Sequence, residues 1–76
     1  MPAKKKPNLP AIIAHNLKRL REKKGLSQQD LADLAKVQQG TVSAIENQIR
    51  GPSMTMIAAL ANALEVPGAE LFKEIK

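Results

Sequence analysis

The sequence has 76 residues and a formal net charge of +5, with no cysteine, one histidine and one aromatic residue. This length allows one domain with one modest core. The lack of cysteine excludes disulfides and thiolate metal sites, and a single histidine excludes a His/Cys metal cage. We therefore expect no metal and no cofactor.

The charge is unevenly distributed along the chain. Residues 1–24 contain eight basic residues and one acidic residue, a balance of +7, whereas residues 25–76 contain four basic and six acidic residues, a balance of −2. A basic N-terminal third indicates a polyanionic partner, with a solubilising charge run as the alternative. Proteins that bind single strands or RNA usually stack bases on several aromatic side chains, and Phe72 is the only Phe, Tyr or Trp in this sequence. Double-stranded DNA is therefore the favoured polyanion.

The first ten residues contain three prolines and three consecutive lysines, Lys4, Lys5 and Lys6. This composition predicts a flexible basic arm over residues 1–10, ahead of a helical domain over residues 11–76. The arm either follows phosphates or the minor groove, or serves as a solubilising tail. It lacks the apolar segment of a secretory signal, and no apolar run approaches the roughly 20 residues that span a bilayer. We expect a cytoplasmic protein without a membrane partner.

From Ala11 onward, apolar residues recur at helical spacing, and no alternating strand pattern is present. Helix one is predicted over about 11–24, with Gly25 following its end. Helix two opens at Ser27, whose capping partner is Asp30, and stops near residue 35. Helix three is predicted over about 39–47, helix four over about 54–64, and a short fifth helix at Leu71 and Phe72. The fold class is therefore all-α.

Helices two and three are short and lie only a few residues apart, which is the local signature of a helix-turn-helix. Their inward positions are all apolar: Leu31, Ala32, Ala35, Val37, Val42 and Ile45. Ala32 is small where the two helices must cross, and a larger side chain there would cost roughly 1–3 kcal/mol. The outward positions of helix three are short or uncharged: Gln38, Gln39, Gly40, Thr41, Ser43, Ala44 and Asn47. Such a face fits a major groove and can contact base edges.

Residues 17–72 resemble the XRE/Cro/C1-type, lambda repressor-like helix-turn-helix family. The segments GLSQQDLADLA, TVSAIEN, GPS and ALANALEVPGAELF follow the pattern of that family without a gap. The resemblance implies a compact five-helix domain that binds double-stranded DNA. It also implies a bacterial or phage transcription regulator, such as a repressor, that acts as a homodimer on a palindromic operator.

The resemblance also implies individual DNA contacts. Gln28 matches a position whose side chain and backbone meet a phosphate at the N-terminus of helix two, where free N–H groups attract an anion. Gln39 matches the position that most often contacts a base, and a glutamine can pair with adenine N6 and N7. Thr41 and Ser43 are candidates for a thymine methyl, a base edge or a phosphate. For all four, an ordinary helix-surface role is the alternative.

The remaining candidates flank these residues. Gln38 either caps helix three or touches DNA, and Gly40 either permits close approach of the backbone to DNA or is simply tolerated. Asn47 and Arg50 match positions that hold the phosphate backbone, with a rim ion pair as the alternative for Arg50. Because the face of helix three is uncharged, we expect affinity to come from the basic residues of helix one, the arm and Arg50. Specificity is expected from Gln39 and its neighbours.

Two further features concern stability. Arg21 and Glu46 match a family pair that forms a salt bridge between helices one and three. Lys36, Gln48 and Glu65 occupy helix ends where glycine is common. Each either adopts a positive φ, at a cost on the order of 1 kcal/mol, or ends its helix in another way.

The apolar residues Leu34, Ile49, Met56 and Ile75 are predicted to face outward. We expect a two-fold dimer through the C-terminal helices, with half-sites about one DNA turn apart. The alternative function is a protein-interaction module, such as the antitoxin of a toxin pair. We do not expect an enzyme, because no nucleophile is paired with a base, and His15 is expected on the surface.

Overall fold

The computed structural model describes residues 8–73. They form four α-helices and a C-terminal 3₁₀ helix: α1 (Leu9–Lys23), α2 (Gln28–Ala35), α3 (Gln39–Glu46), α4 (Met54–Leu64) and the 3₁₀ helix Gly68–Phe72. The all-α fold class is confirmed, and no strand occurs within residues 8–73. The predicted fifth helix is a 3₁₀ helix of five residues and not an α-helix, so a count of five α-helices is not confirmed; 3₁₀ helices occur as short pieces of this kind. Among residues 8–73, no helix combines the length and apolar character needed to cross a membrane.

Helix α1 begins two residues earlier than predicted. The Asn8 side chain accepts a hydrogen bond from the Ala11 amide at 3.2 Å, and Pro10 lies in the first turn. Proline is tolerated there because the first amides of a helix have no intrahelical acceptor. Leu9 and Pro10 therefore belong to the helix and not to the arm. Lys4, Lys5 and Lys6 lie outside the described residues.

All five elements contribute to one hydrophobic core. Its fully buried side chains are Leu17, Leu31, Val42, Ile45, Leu60, Leu64 and Leu71. Each leucine buried in this way contributes about 1.5–3 kcal/mol relative to exposure. Ala32 is also fully buried, on α2, which packs against α3, and Ala35 and Val37 are half-buried at the edge of the core. The predicted inward positions of the helix-turn-helix thus line this core.

A buried asparagine fixes the C-terminal segment to α1. The Asn16 side-chain amide donates to the carbonyl of Leu71 at 3.0 Å and to that of Lys73 at 2.8 Å. These bonds hold the 3₁₀ helix in place on α1, with Leu71 in the core. The sequence analysis did not single out Asn16, because a lone polar residue on an apolar helix gives no periodic signal.

Three helices end in a left-handed residue that is not glycine. Lys36, Gln48 and Glu65 have φ values of 61°, 61° and 59°. After each, the next amide donates to the carbonyl five residues before it, as in Val37 to Ala32 at 2.9 Å. This is the Schellman pattern, which satisfies the last carbonyls of a helix. The three residues therefore adopt the positive φ at which glycine is usual, each with an energetic cost on the order of 1 kcal/mol.

The exposed apolar residues differ in part from those predicted. Leu34 and Ile49 are 57% and 77% exposed. Met56 is instead half-buried against the core, so the prediction that it faces outward is wrong. Its side chain lies one turn before Leu60, on the same helical face. Ile75 lies outside the described residues.

Candidate nucleic-acid interface

Helices α2 and α3 are separated by three residues, 36–38. Lys36 ends α2 in the left-handed conformation, and Gln38 is extended immediately before α3. The fully buried Ala32 lies on α2, which packs against α3. The arrangement is a helix-turn-helix, with α3 in the position of the recognition helix.

The start of α2 is fixed by a reciprocal cap. Ser27 Oγ accepts from the Asp30 amide, and Asp30 Oδ2 accepts from the Ser27 amide, both at 2.9 Å. The backbone hydrogen bond from Ser27, followed by that from its hydroxyl, lowers the pKa of Asp30 below its ordinary value. The cap therefore favours the ionised form of Asp30.

The predicted outward face of α3 is accessible. Gln39, Thr41 and Ser43 are half-buried, none of them enclosed in the core, while Val42 and Ile45 point inward. Ser43 Oγ accepts from the Asn47 side chain at 3.2 Å, just beyond the end of the helix. The face therefore presents uncharged hydrogen-bonding groups, the kind that can contact base edges.

Gln38 and Gly40 flank Gln39 at the start of α3. Gln38 makes no side-chain cap to α3, so the first of its two predicted roles does not occur. A Cβ added at Gly40 would meet nothing within 4 Å, so the packing of residues 8–73 does not require glycine there. Both residues are exposed beside Gln39. Because both residues are accessible, they can contact an external partner.

A chain of side-chain hydrogen bonds connects α3 to α1 by way of α2. Gln39 Nε2 donates to Gln28 Oε1 at 2.7 Å, and Gln28 Nε2 donates to Glu46 Oε1 at 3.1 Å. Glu46 also accepts two bonds from the guanidinium of Arg21. We call these four residues the polar relay. All four residues are candidates from the sequence, but the bond between the two glutamines has no sequence signal, because they are eleven positions apart on different helices.

Arg21 and Glu46 form a two-bond ion pair with little exposure to solvent. Arg21 Nε lies 2.7 Å from Glu46 Oε2 and Nη2 lies 3.0 Å from Oε1, and the side chains are 10% and 3% exposed. The hydrogen bond to Glu46 raises the pKa of Arg21. Arg21 Nη1 also donates to the carbonyl of Leu26 at 2.8 Å, so the pair joins α1, α3 and the connection to α2.

Helix α3 carries no basic residue, and the positive charge lies on other parts of the chain. Arg50 is exposed shortly after α3 and has no ion pair within the described part of the chain. The exposed face of α1 carries Lys18, Arg19 and Lys23 around a shallow surface depression. Lys24 is engaged elsewhere, because its Nζ lies 3.0 Å from Glu65 Oε1 at the end of α4. Gln28, Gln39 and Glu46 thus come together in the relay, whereas Arg50 lies apart from it.

A helix-turn-helix whose second helix presents an accessible face for base contacts is the arrangement found in DNA-binding transcription regulators. Residues 17–71 match the sequence pattern of the HTH_3 family, which is described as "Helix-turn-helix". The chain therefore belongs to the HTH_3 helix-turn-helix family, which confirms the resemblance stated above. It is a DNA-binding transcription regulator.

Solved structures of similar chains agree with this assignment. The restriction-modification controller protein C.AhdI from Aeromonas hydrophila is 36% identical, with a TM-score of 0.81, over 83% of this chain and 96% of that one. The hypothetical transcription factor NHTF from Neisseria is 31% identical, with a TM-score of 0.85, over 96% and 86%. An HTH_3 family transcriptional regulator from Vibrio cholerae is 30% identical, with a TM-score of 0.81, over 84% of this chain and 36% of that one. A comparison with curated proteins finds no match.

Proposed function

We propose that this protein regulates transcription as a homodimer that inserts α3 of each subunit into the major groove of a palindromic operator. The observation that carries the proposal is the accessible face of α3, on which the Gln39 amide is held by Gln28 at 2.7 Å. A side chain that is already oriented loses less conformational entropy when it pairs with a base.

The proposed DNA contacts fall into two groups, those to bases and those to phosphates, and the base contacts come from α3. Gln39 is the main base-contacting residue, and Thr41 and Ser43 contact neighbouring base edges or phosphates. Gln38 and Gly40 lie where α3 enters the groove. None of these residues carries a charge, so they supply specificity and little of the salt-dependent affinity.

Phosphate contacts come from three other positions. Asn47 and Arg50 follow α3 and hold the backbone beyond the recognised bases. Gln28 contributes its main-chain N–H in the first turn of α2, because its side-chain amide is already bonded to Gln39 and Glu46. The basic face of α1 adds long-range attraction to the duplex.

The dimer interface is proposed at the apolar surface of α4 and the 3₁₀ helix. Met54 is 72% exposed there, beside a groove of about 520 Å³ that extends along α4 to Phe72. A two-fold dimer repeats one contact surface on both subunits and sets half-sites about 34 Å apart, one turn of B-DNA. C.AhdI, a protein similar over 96% of its own length, is a restriction-modification controller, which supports a regulatory role for this domain.

Selection of bound sequences from a random duplex pool tests the proposal. For the wild-type protein we expect an inverted repeat whose half-site centres lie about 10 base pairs apart. The Gln39→Ala variant should lose its base preference at one base pair in each half-site. Gln29→Ala, which removes an exposed glutamine of α2 that bonds the Asp33 carboxylate, is the matched control and should retain the same preferred sequence. Equal binding of every duplex by the folded protein, in all salt concentrations, would overturn the proposal.

A further inference from the structure

The polar relay has a fixed direction because one end of it can only accept hydrogen bonds. An ionised carboxylate has no proton to donate, so every group that bonds Glu46 must be a donor. Arg21 supplies two N–H groups, and Gln28 supplies its side-chain nitrogen at 3.1 Å. Glu46 therefore determines which way the Gln28 amide faces.

The direction passes from Gln28 to Gln39. Because the Gln28 side-chain nitrogen faces Glu46, its oxygen faces Gln39 at the start of α3. Only a donor can bond that oxygen. Gln39 meets this requirement with Nε2, at 2.7 Å. The groups of Gln39 that remain free are then Oε1, an acceptor, and the second N–H of Nε2, a donor.

We propose that Glu46 is a positioning residue that makes the Gln39 amide present one acceptor and one donor, so that the protein accepts adenine and rejects guanine at that base pair. This inference rests on the proposed function. Adenine offers an acceptor at N7 and a donor at N6, which match the free groups of Gln39. Guanine offers two acceptors, N7 and O6, and Gln39 has only one N–H left for them.

The same geometry shows how the preference is reversed. If the residue at position 28 could only donate, Gln39 would have to turn Oε1 toward it, and both N–H groups would face outward. Two donors match the two acceptors of guanine. Gln28→Lys creates this condition, because an ammonium group is a donor and can still bond the Glu46 carboxylate. Glu46→Gln instead removes the fixed direction, since an amide both donates and accepts.

The experiment uses the duplex recovered by the selection above, at the base pair whose recognition Gln39→Ala abolishes. The dissociation constant is measured for four duplexes that carry each base at this position. The wild-type protein should prefer adenine to guanine by roughly 5- to 150-fold, the range of one bidentate contact. Glu46→Gln should bring this ratio close to one, and Gln28→Lys should favour guanine.

A control variant separates the effect of the Gln39 amide orientation from a general loss of protein stability. Ile12→Val trims a buried side chain near the start of α1, away from the relay and from the α4 groove, and should lower stability while leaving the adenine-to-guanine ratio unchanged. If Glu46→Gln does not fold, Gln28→Lys retains the Arg21–Glu46 pair and decides the question. An unchanged ratio in folded Gln28→Lys overturns this inference alone. Equal affinity of the wild-type protein for all duplexes overturns the proposed function, and this inference with it.

Discussion

Arg21 on α1 and Glu46 on α3 meet in a two-bond fork, with Nε 2.7 Å from Oε2 and Nη2 3.0 Å from Oε1. Glu46 is the last residue of α3, and the same carboxylate accepts a bond from Gln28 on α2. One acidic group thus fixes the C-terminal end of the candidate recognition helix against both preceding helices. The stability of the domain and the orientation of α3 therefore share the same interaction.

Removing one partner of this pair should be more damaging than removing both. Arg21→Met leaves the Glu46 carboxylate almost enclosed and without its counter-ion, and we expect a loss of about 3–5 kcal/mol in the free energy of unfolding. The double variant Arg21→Met/Glu46→Met leaves no buried charge and should recover part of that loss. Urea unfolding of the two single variants and the double variant measures the effect. Additive losses in the double variant would contradict a shared, desolvated pair.

The cap of α2 should make stability depend on pH. The Ser27 hydrogen bonds lower the pKa of Asp30, so the ionised form is favoured in the folded state. A carboxyl with a lowered pKa contributes its full stabilisation above the unfolded value, about 3.9, and loses it as the pH falls toward the folded value. The advantage of the wild-type protein over Asp30→Ala should therefore be constant between pH 5 and 7 and shrink as the pH falls below about 4.

Denaturant unfolding of both proteins across this pH range provides the measurement. Asp33→Ala is the matched control, because Asp33 lies on the same helix and its carboxylate accepts from the Gln29 side chain, not from the cap of α2. A wild-type advantage over Asp30→Ala that stays constant down to pH 2.5 would show that the charge of Asp30 is not part of the cap.

Much of the fold follows from local rules in the sequence. Apolar spacing and the Ser27 cap place α2, α3 and α4 within a residue of their observed bounds. The start of α1 was placed late because Pro10 resembles the proline-rich arm before it, although proline is also favoured in a first turn. The sequence predicts a short helix at Leu71 and Phe72 but not its type, because side-chain spacing does not distinguish an α-helix from a 3₁₀ helix over five residues.

The candidate site is predictable in its residues but not in its connections. The resemblance to a known family indicated Gln28, Gln39, Arg21 and Glu46 one by one. The bond between Gln28 and Gln39 depends on the crossing of α2 and α3 and on side-chain rotamers, neither of which has a sequence period. Asn16 was missed for a related reason, since its acceptors at Leu71 and Lys73 are main-chain carbonyls that any residue would supply.

Glycine at a left-handed helix end should stabilise the domain. Lys36 has a φ of 61°, a conformation that costs a residue with a Cβ on the order of 1 kcal/mol. Lys36→Gly should raise the free energy of unfolding by up to about 1 kcal/mol, because this steric cost exceeds the added flexibility of glycine in the unfolded chain. Lys36→Ala keeps the strain and removes the same charge, so it should show no such gain. Thermal unfolding of the two variants distinguishes them, and equal midpoints would contradict strain at Lys36.

Gly40 allows stability and DNA binding to be separated at one position. It lies in the first turn of α3, and an added Cβ would meet nothing within 4 Å. Gly40→Ala should stabilise the free protein by about 0.5–1 kcal/mol, since alanine has the higher helix propensity. The same methyl group would stand between the α3 backbone and the groove, so we expect weaker binding to the selected duplex. Thermal unfolding and duplex titration measure the two effects, and a variant that gains stability and retains full affinity would exclude close backbone approach to DNA at Gly40.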